Sequence, residues 1–249
     1  MDEPVWLVAS KSSPFRDLIY GKETIHDTRV AVLWDEDYLY VGYWIEETDV
    51  QATLTERDAK ICMDNDVEFF IAGRDTCYEF EINAFGTIYE VFFIWQDAYK
   101  KGSAFDKPEF DLLSQRVDVL GGFQDSMRFG KHPRGRRWAF LDWDFPEMKS
   151  AVHVDGTIND NRDVDKGWTV ELAIPFTTLR FDPNVNDQVW GMNFLRRLRR
   201  RNEDSYWAPL DRRSRVHTMV RAGTLTGLSD LPRPRNLTIK PYGLGERSS

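Results

Sequence analysis

Asp64-Asn65-Asp66-Val67-Glu68-Phe69-Phe70-Ile71, followed after residues 72–76 by Cys77-Tyr78-Glu79-Phe80-Glu81-Ile82-Asn83, decides the fold. Both pieces alternate apolar and polar side chains. Successive residues of a strand point to opposite faces. The alternation therefore predicts two antiparallel strands joined by a short turn, with one face on a core and a carboxylate-bearing face turned outward.

Working outward, residues 29–34 and 38–45 flank the acidic turn Asp35-Glu36-Asp37 and read as a first hairpin. Residues 86–95 continue the central pair as a third, more apolar strand. Residues 168–174 alternate most cleanly and stop at Pro175. Residues 151–154, 188–198 and 236–240 read as further strands, and 175–180 as a short helical turn. Between them, residues 96–150 show little periodicity and carry Gly102, Gly121, Gly122, Gly130, Gly135, Pro108, Pro133 and Pro146. No segment of about 12 residues or more has a helical period. The expectation is an all-β chain: an antiparallel β-sandwich, jelly-roll or immunoglobulin-like, with a long irregular insertion at about residues 96–150.

The 249 residues allow one large all-β domain or two small ones, and 41% apolar residues suffice for a filled core. No run reaches the roughly 20 apolar residues of a membrane-spanning helix. The net charge of −8 hides an asymmetry: residues 190–249 hold 13 Lys+Arg against 5 Asp+Glu, so the rest is strongly acidic. An acidic body repels polyphosphate, which disfavours nucleic-acid partners. Cys62 and Cys77 lie apart in the hairpin register and are too few for a structural zinc site. Met1-Asp2-Glu3-Pro4-Val5-Trp6 lacks a basic head and apolar run, so the chain is read as cytosolic or as beginning after a removed targeting segment. No Ser/His/Asp order or phosphate-cradling glycine loop appears.

Five blocks in order resemble the signature of family 9 carbohydrate-binding modules: residues 29–41, 64–71, 78–83, 167–176 and 190–194. The resemblance implies a sugar-binding β-sandwich, attached to or secreted beside polysaccharide-degrading enzymes, often with structural calcium. Asp2-Glu3-Pro4-Val5-Trp6 is similar to the end of the family's opening motif. Residues 222–228 and 237–242 resemble the junction to a C-terminal outer-membrane β-barrel domain in larger bacterial proteins. This implies a module over 1–228 and, at 229–249, a linker or the start of a truncated C-terminal domain. Family members hold sugar between two tryptophans; here Cys62 and Met63 stand at the first position and Val216 near the second. Glu68 matches a family position that hydrogen-bonds sugar, and a family arginine of the same role falls near Glu81.

Sugar rings present apolar faces that pack on indoles and hydroxyls that need planar polar partners. Trp95, Trp138, Trp143 and Trp207 lie at strand ends or in the insertion and are candidate platforms, whereas Trp34, Trp44, Trp168 and Trp190 read as core. The expected carbohydrate-binding set is Glu68, Glu81, Asn83, Trp95, Arg57, Arg196 and Trp207, with no catalytic residue. Asn161, Asp163 and Asp165 have the alternate spacing of a calcium loop, but Leu172 stands where an EF-hand needs its bidentate glutamate, so a polar turn is expected. A structural calcium using Asp64 and Asp66 is the other metal reading. The run Arg196-Arg197-Leu198-Arg199-Arg200-Arg201 should split between two faces and pair with the acidic body. The functional expectation is a non-catalytic module that binds oligo- or polysaccharide and assists a glycoside hydrolase, extracellular or periplasmic and outer-membrane-associated. The alternative is a structural periplasmic domain without sugar affinity, joined to a C-terminal barrel.

Overall fold

The computed structural model describes residues 3–114, 116–120, 136–182, 184–208, 210 and 222–231. In chain order, the short helix α1 (Pro4–Val8) precedes β1 (Arg16–Asp17), β2 (Thr28–Trp34), β3 (Tyr38–Glu46), β4 (Asp66–Ala72), β5 (Thr76–Asn83) and β6 (Ile88–Trp95). Then come β7 (Val117–Leu120), β8 (Arg137–Phe140), β9 (Lys149–Asp155), β10 (Gly167–Pro175), β11 (Gln188–Leu198), β12 (Glu203–Tyr206) and β13 (Gly223–Leu228). The strand expected at 236–240, the position near Val216 and the insertion's Gly121, Gly122, Gly130, Gly135 and Pro133 lie outside the described residues.

Two antiparallel sheets form, as the alternation requires. The larger runs β1-β12-β11-β4-β5-β6-β8-β7 with β13 also on β11, and the smaller runs β2-β3-β10-β9. The quoted hairpin is the centre of the large sheet, Glu68 opposite Glu81 and Asp66 opposite Asn83. Apolar members of the alternation meet between the layers: Val67, Phe69, Ile71, Tyr78, Phe80, Ile82 and Phe92 from one sheet, Leu39, Val41, Tyr43, Val170 and Leu172 from the other. Phe69 stacks on Phe80 with ring centres 5.1 Å apart. Burying each such side chain contributes about 1.5–3 kcal/mol. Tyr43 Oη donates across the layers to the Glu68 carbonyl at 2.7 Å.

Three expectations need correction. The carboxylate face of β4 and β5 is not solvated; both strands are buried on both faces. The loop carrying the 3-10 turn Ile61–Met63 folds back across that face, and Cys62 N–H donates to Glu81 Oε2 at 2.7 Å. Alternation reports two faces but not which later segment covers one. Among the described residues of the stretch 96–150, 117–120 and 137–140 add β7 and β8 to the sheet edge and Phe110 enters the core, where little periodicity gave no strand to expect. Among the tryptophans, Trp168 and Trp190 are core as expected, but Trp143 packs on Phe145 at 4.8 Å and Phe92 at 5.2 Å. Trp34, placed in the core by its strand, is 41% exposed because β2 ends there, and Trp44 is half-buried beneath the Lys11 ammonium at 3.9 Å.

Candidate functional site

The period of two sets Asp66, Glu68, Glu79 and Glu81 on the face of the large sheet away from the smaller one. All four are buried. β11 runs beside β4 with Arg197 opposite Asp66, and the Arg197 guanidinium bonds Glu68 Oε1 and reaches Asp204 Oδ2 at 3.3 Å. Burial disfavours the charged form: it pushes Glu68 up to about 6, against the pull of Arg197, and Glu79 up to about 8, helped by the Glu68 charge. Asp66 and Glu81 are raised well above the carboxylate range by burial first and the Glu68 charge second. Both Asp66 oxygens and Glu68 Oε2 are buried without a hydrogen-bond partner.

The other expected ligand residues scatter, and most are engaged within the fold. Arg196 points between the sheets, donating to Thr28 Oγ1 at 2.9 Å and Glu47 Oε2 at 3.2 Å. Glu47 also accepts from Trp168 Nε1 at 3.0 Å and Asn65 Nδ2 at 2.6 Å, so these groups form one buried polar node. Asn83 is a loop lock: its amide donates to Leu54 O and Asp64 Oδ2, and its carbonyl accepts from Phe85 and Thr87 N–H. Arg57 bonds Glu90 and Asp144, placing a guanidinium among these carboxylates. Trp207 packs on Phe194 at 5.6 Å and under Gly223, where a Cβ would come within 2.0 Å of the indole. The basic run splits as expected, Arg196 inward and Arg197 outward, with Arg200 on Asp49.

Trp95 ends β6 two residues before Asp97, which lines an open cleft. The cleft, about 500 Å³, is lined by Arg74, Asp75, Asp97, Lys100, Ser103 and Phe105, with Ala98 and Ala104. Trp95 N–H donates to Asp75 O at 3.1 Å, tying β6 to the hairpin turn, and the Arg137 guanidinium lies 5.2 Å from its ring. A lining of guanidinium, carboxylate, ammonium and hydroxyl groups with one aromatic ring suits a polyhydroxylated ligand. The sequence pattern points to Trp95 but not to the cleft. Arg74 and Asp75 belong to the hairpin turn, where polar residues are expected for turn geometry alone.

The calcium readings separate on the same grounds. Asp64 is occupied, accepting from Thr53 and Leu54 N–H and from Asn83. Asp163 accepts from the Thr157 hydroxyl, and Asp165 accepts from Thr157 N–H and from Val50 N–H in the segment after β3. Asp66, Glu68 and Glu81 instead bring carboxylate oxygens within 4.8 Å of one another. They suit a hard cation, and of the expected pair Asp64 and Asp66 only the second has free oxygens.

No family model matches the chain, and no curated protein matches it. Solved structures do. A candidate carbohydrate-binding protein from Bacteroides uniformis superposes with a TM-score of 0.58 at 16% identity, over 88% of this chain and 86% of that one. A family 9 carbohydrate-binding module from Caldicellulosiruptor kristjanssonii, solved with cellotriose, gives 0.51 at 12% identity over 97% and 93%. These likenesses show the fold: a family 9-like β-sandwich.

Proposed function

We propose that the chain is a non-catalytic carbohydrate-binding module whose ligand lies in the cleft of Arg74, Asp75, Asp97, Lys100 and Ser103 beside Trp95. The observation that carries this reading is that cleft, which Arg74, Asp75, Asp97, Lys100 and Ser103 line together with Phe105. Likeness over most of the chain to a module solved with cellotriose supports it. Glycoside hydrolysis is not supported by the paired glutamates. Glu68 and Glu81 are both buried, Glu68 bonded to Arg197 and Glu81 to Cys62 N–H beneath the covering loop.

The role extends to assisting polysaccharide degradation beside a glycoside hydrolase, outside the cytoplasm or in the periplasm. Support comes from the resemblance of residues 222–228 and 237–242 to junctions with outer-membrane barrel domains. A structural domain without sugar affinity is the second reading, favoured by the internal bonds of Arg196, Asn83 and Arg57. Calorimetry against xylo-, gluco- and manno-oligosaccharides decides between them. Binding heat that Asp97→Ala and Arg74→Ala abolish is expected; no heat with any sugar selects the structural domain.

A further inference from the structure

The two edges of the smaller sheet differ. Along β2, Ser12 N–H bonds Val30 O at 2.7 Å and Phe15 N–H bonds Thr28 O at 3.2 Å, so the chain before β2 lies along that edge. At the opposite edge β9 pairs, among the described residues, with β10 alone. Its side chains are exposed apart from Val152 and Val154, which are half-buried.

The hydrogen-bond phase of the sheet fixes what this edge presents. Phe176 N–H bonds Asp37 O on the β3 side, one step beyond the Pro175–Tyr38 pair. Backbone direction alternates along an antiparallel strand, so Gly167, Thr169, Glu171 and Ala173 turn their polar groups toward β9. Their partners there are Asp155, His153, Ala151 and Lys149. Ser150, Val152 and Val154 therefore turn N–H and C=O away from β10, to the open edge. Such an edge templates pairing with another chain unless charge, proline or a bulge blunts it. Between its ends β9 has none of these: residues 150–154 hold no proline, acid, lysine or arginine, and the register with β10 is unbroken.

The edge is also complementary to itself. Laid antiparallel on a second copy, with a two-fold axis at Val152, it sets Val152 opposite Val152 and Ser150 opposite Val154. These are the outward-facing residues, so each pair exchanges both of its N–H···O bonds. Lys149 then stands opposite Asp155 of the second copy, at both ends, and opposite charges across strands stabilise. Asp155 is 57% exposed beside its own Lys166, and so is open to this contact. Sliding by two residues, the next register that keeps the bonds, loses the Lys149–Asp155 pairs. Val152 and Val154, paired with the core residues Val170 and Trp168, add an apolar side to the contact.

We propose that β9 is a homodimer interface, through which two copies join edge to edge about Val152 and make one continuous sheet of their smaller sheets. No residue lining the cleft belongs to β9, so the interface is independent of sugar binding.

A single strand pair lies at the small, transient end of interface sizes, so association should appear at roughly tens to hundreds of micromolar. The test is sedimentation equilibrium of the full chain across that range. The parent should rise from the monomer mass of 29.2 kDa toward twice that value. Ser150→Pro removes an outward donor at an exposed edge position and leaves the β10 ladder intact. It should lower the association constant about tenfold, since two symmetry-related bonds are lost. Lys149→Asp and Asp155→Lys each set like charges opposite one another and should each weaken association. Mixed in equal amounts they restore both charge pairs, and the mixture should associate more strongly than either alone. Circular dichroism checks each fold; if Asp155→Lys, which also loses Lys166, fails to fold, Ser150→Pro and Lys149→Asp carry the test. Monomer mass throughout overturns the interface. So does association that Ser150→Pro leaves unchanged, which puts the contact on another surface, or a mixture that associates no better than its components.

Discussion

Removing Arg196 should unfold much of what holds the two layers in register. Arg196 and Glu47 are 3% and 2% exposed at the side chain, with their charged atoms 3.2 Å apart. Burial lowers the arginine and raises the glutamate, so each ion depends on the other to stay charged. Arg196→Ala leaves Glu47 in the interior with only Trp168 Nε1 and Asn65 Nδ2 as donors, and leaves Thr28 Oγ1 without this donor. Breaking a buried pair from one side costs about 3–5 kcal/mol. Against a typical total of about 5–15 kcal/mol, that shift is large in urea unfolding followed by tryptophan fluorescence. The exposed pair Arg200–Asp49 is the control, and Arg200→Ala should cost no more than about 1 kcal/mol. Replacing both members, Arg196→Met with Glu47→Leu, should recover most of the loss, because an apolar pair needs no counter-charge. The reasoning is refuted if Arg196→Ala costs no more than Arg200→Ala. Loss of sugar affinity at unchanged stability would return Arg196 to the ligand role its sequence context suggests.

Three further outcomes follow from the packing and the charges. Phe69→Ala, deleting a fully buried ring stacked on Phe80, should cost about 3–5 kcal/mol in the same denaturation assay. Gly223→Ala should cost about 1–3 kcal/mol by driving a methyl to within 2.0 Å of the Trp207 indole, read as a lower melting temperature. Burial pushes Glu90 up to about 7 despite Arg57, so the folded chain keeps a proton that the unfolded chain releases near 4.5. That stability is complete below pH 4.5 and is lost as pH rises through about 7, on the order of 3 kcal/mol. Glu90→Gln should flatten this part of the stability–pH curve; an unchanged curve contradicts the assignment.

The layers are legible in the sequence because side-chain direction has period two. Alternation marks residues 188–198 as a strand with the same bounds that β11 has, and the central hairpin pairs as expected. Short strands are not legible: β8 and β12 are four residues each, too brief for alternation to separate them from loop. The facing of Arg196 is within reach of the pattern. It shares parity with Trp190, Met192 and Phe194, all in the core, so an inward guanidinium needing a buried acid is the consistent reading. Glu47 carries no local sign of being that acid, since β3 brings it there only through pairing with β10. The covering of Glu68 and Glu81 and the cleft at Arg74 depend on loops that return from elsewhere, and local patterning does not encode such contacts.

The most direct measurement is residue-resolved NMR of the labelled chain titrated with cello-, xylo- and manno-oligosaccharides. The account predicts progressive, saturable shifts at Arg74, Asp75, Trp95 and residues 97–105, with the β2–β3 hairpin unmoved. Shifts centred on Arg196 and Trp207, or none with any sugar, would contradict it.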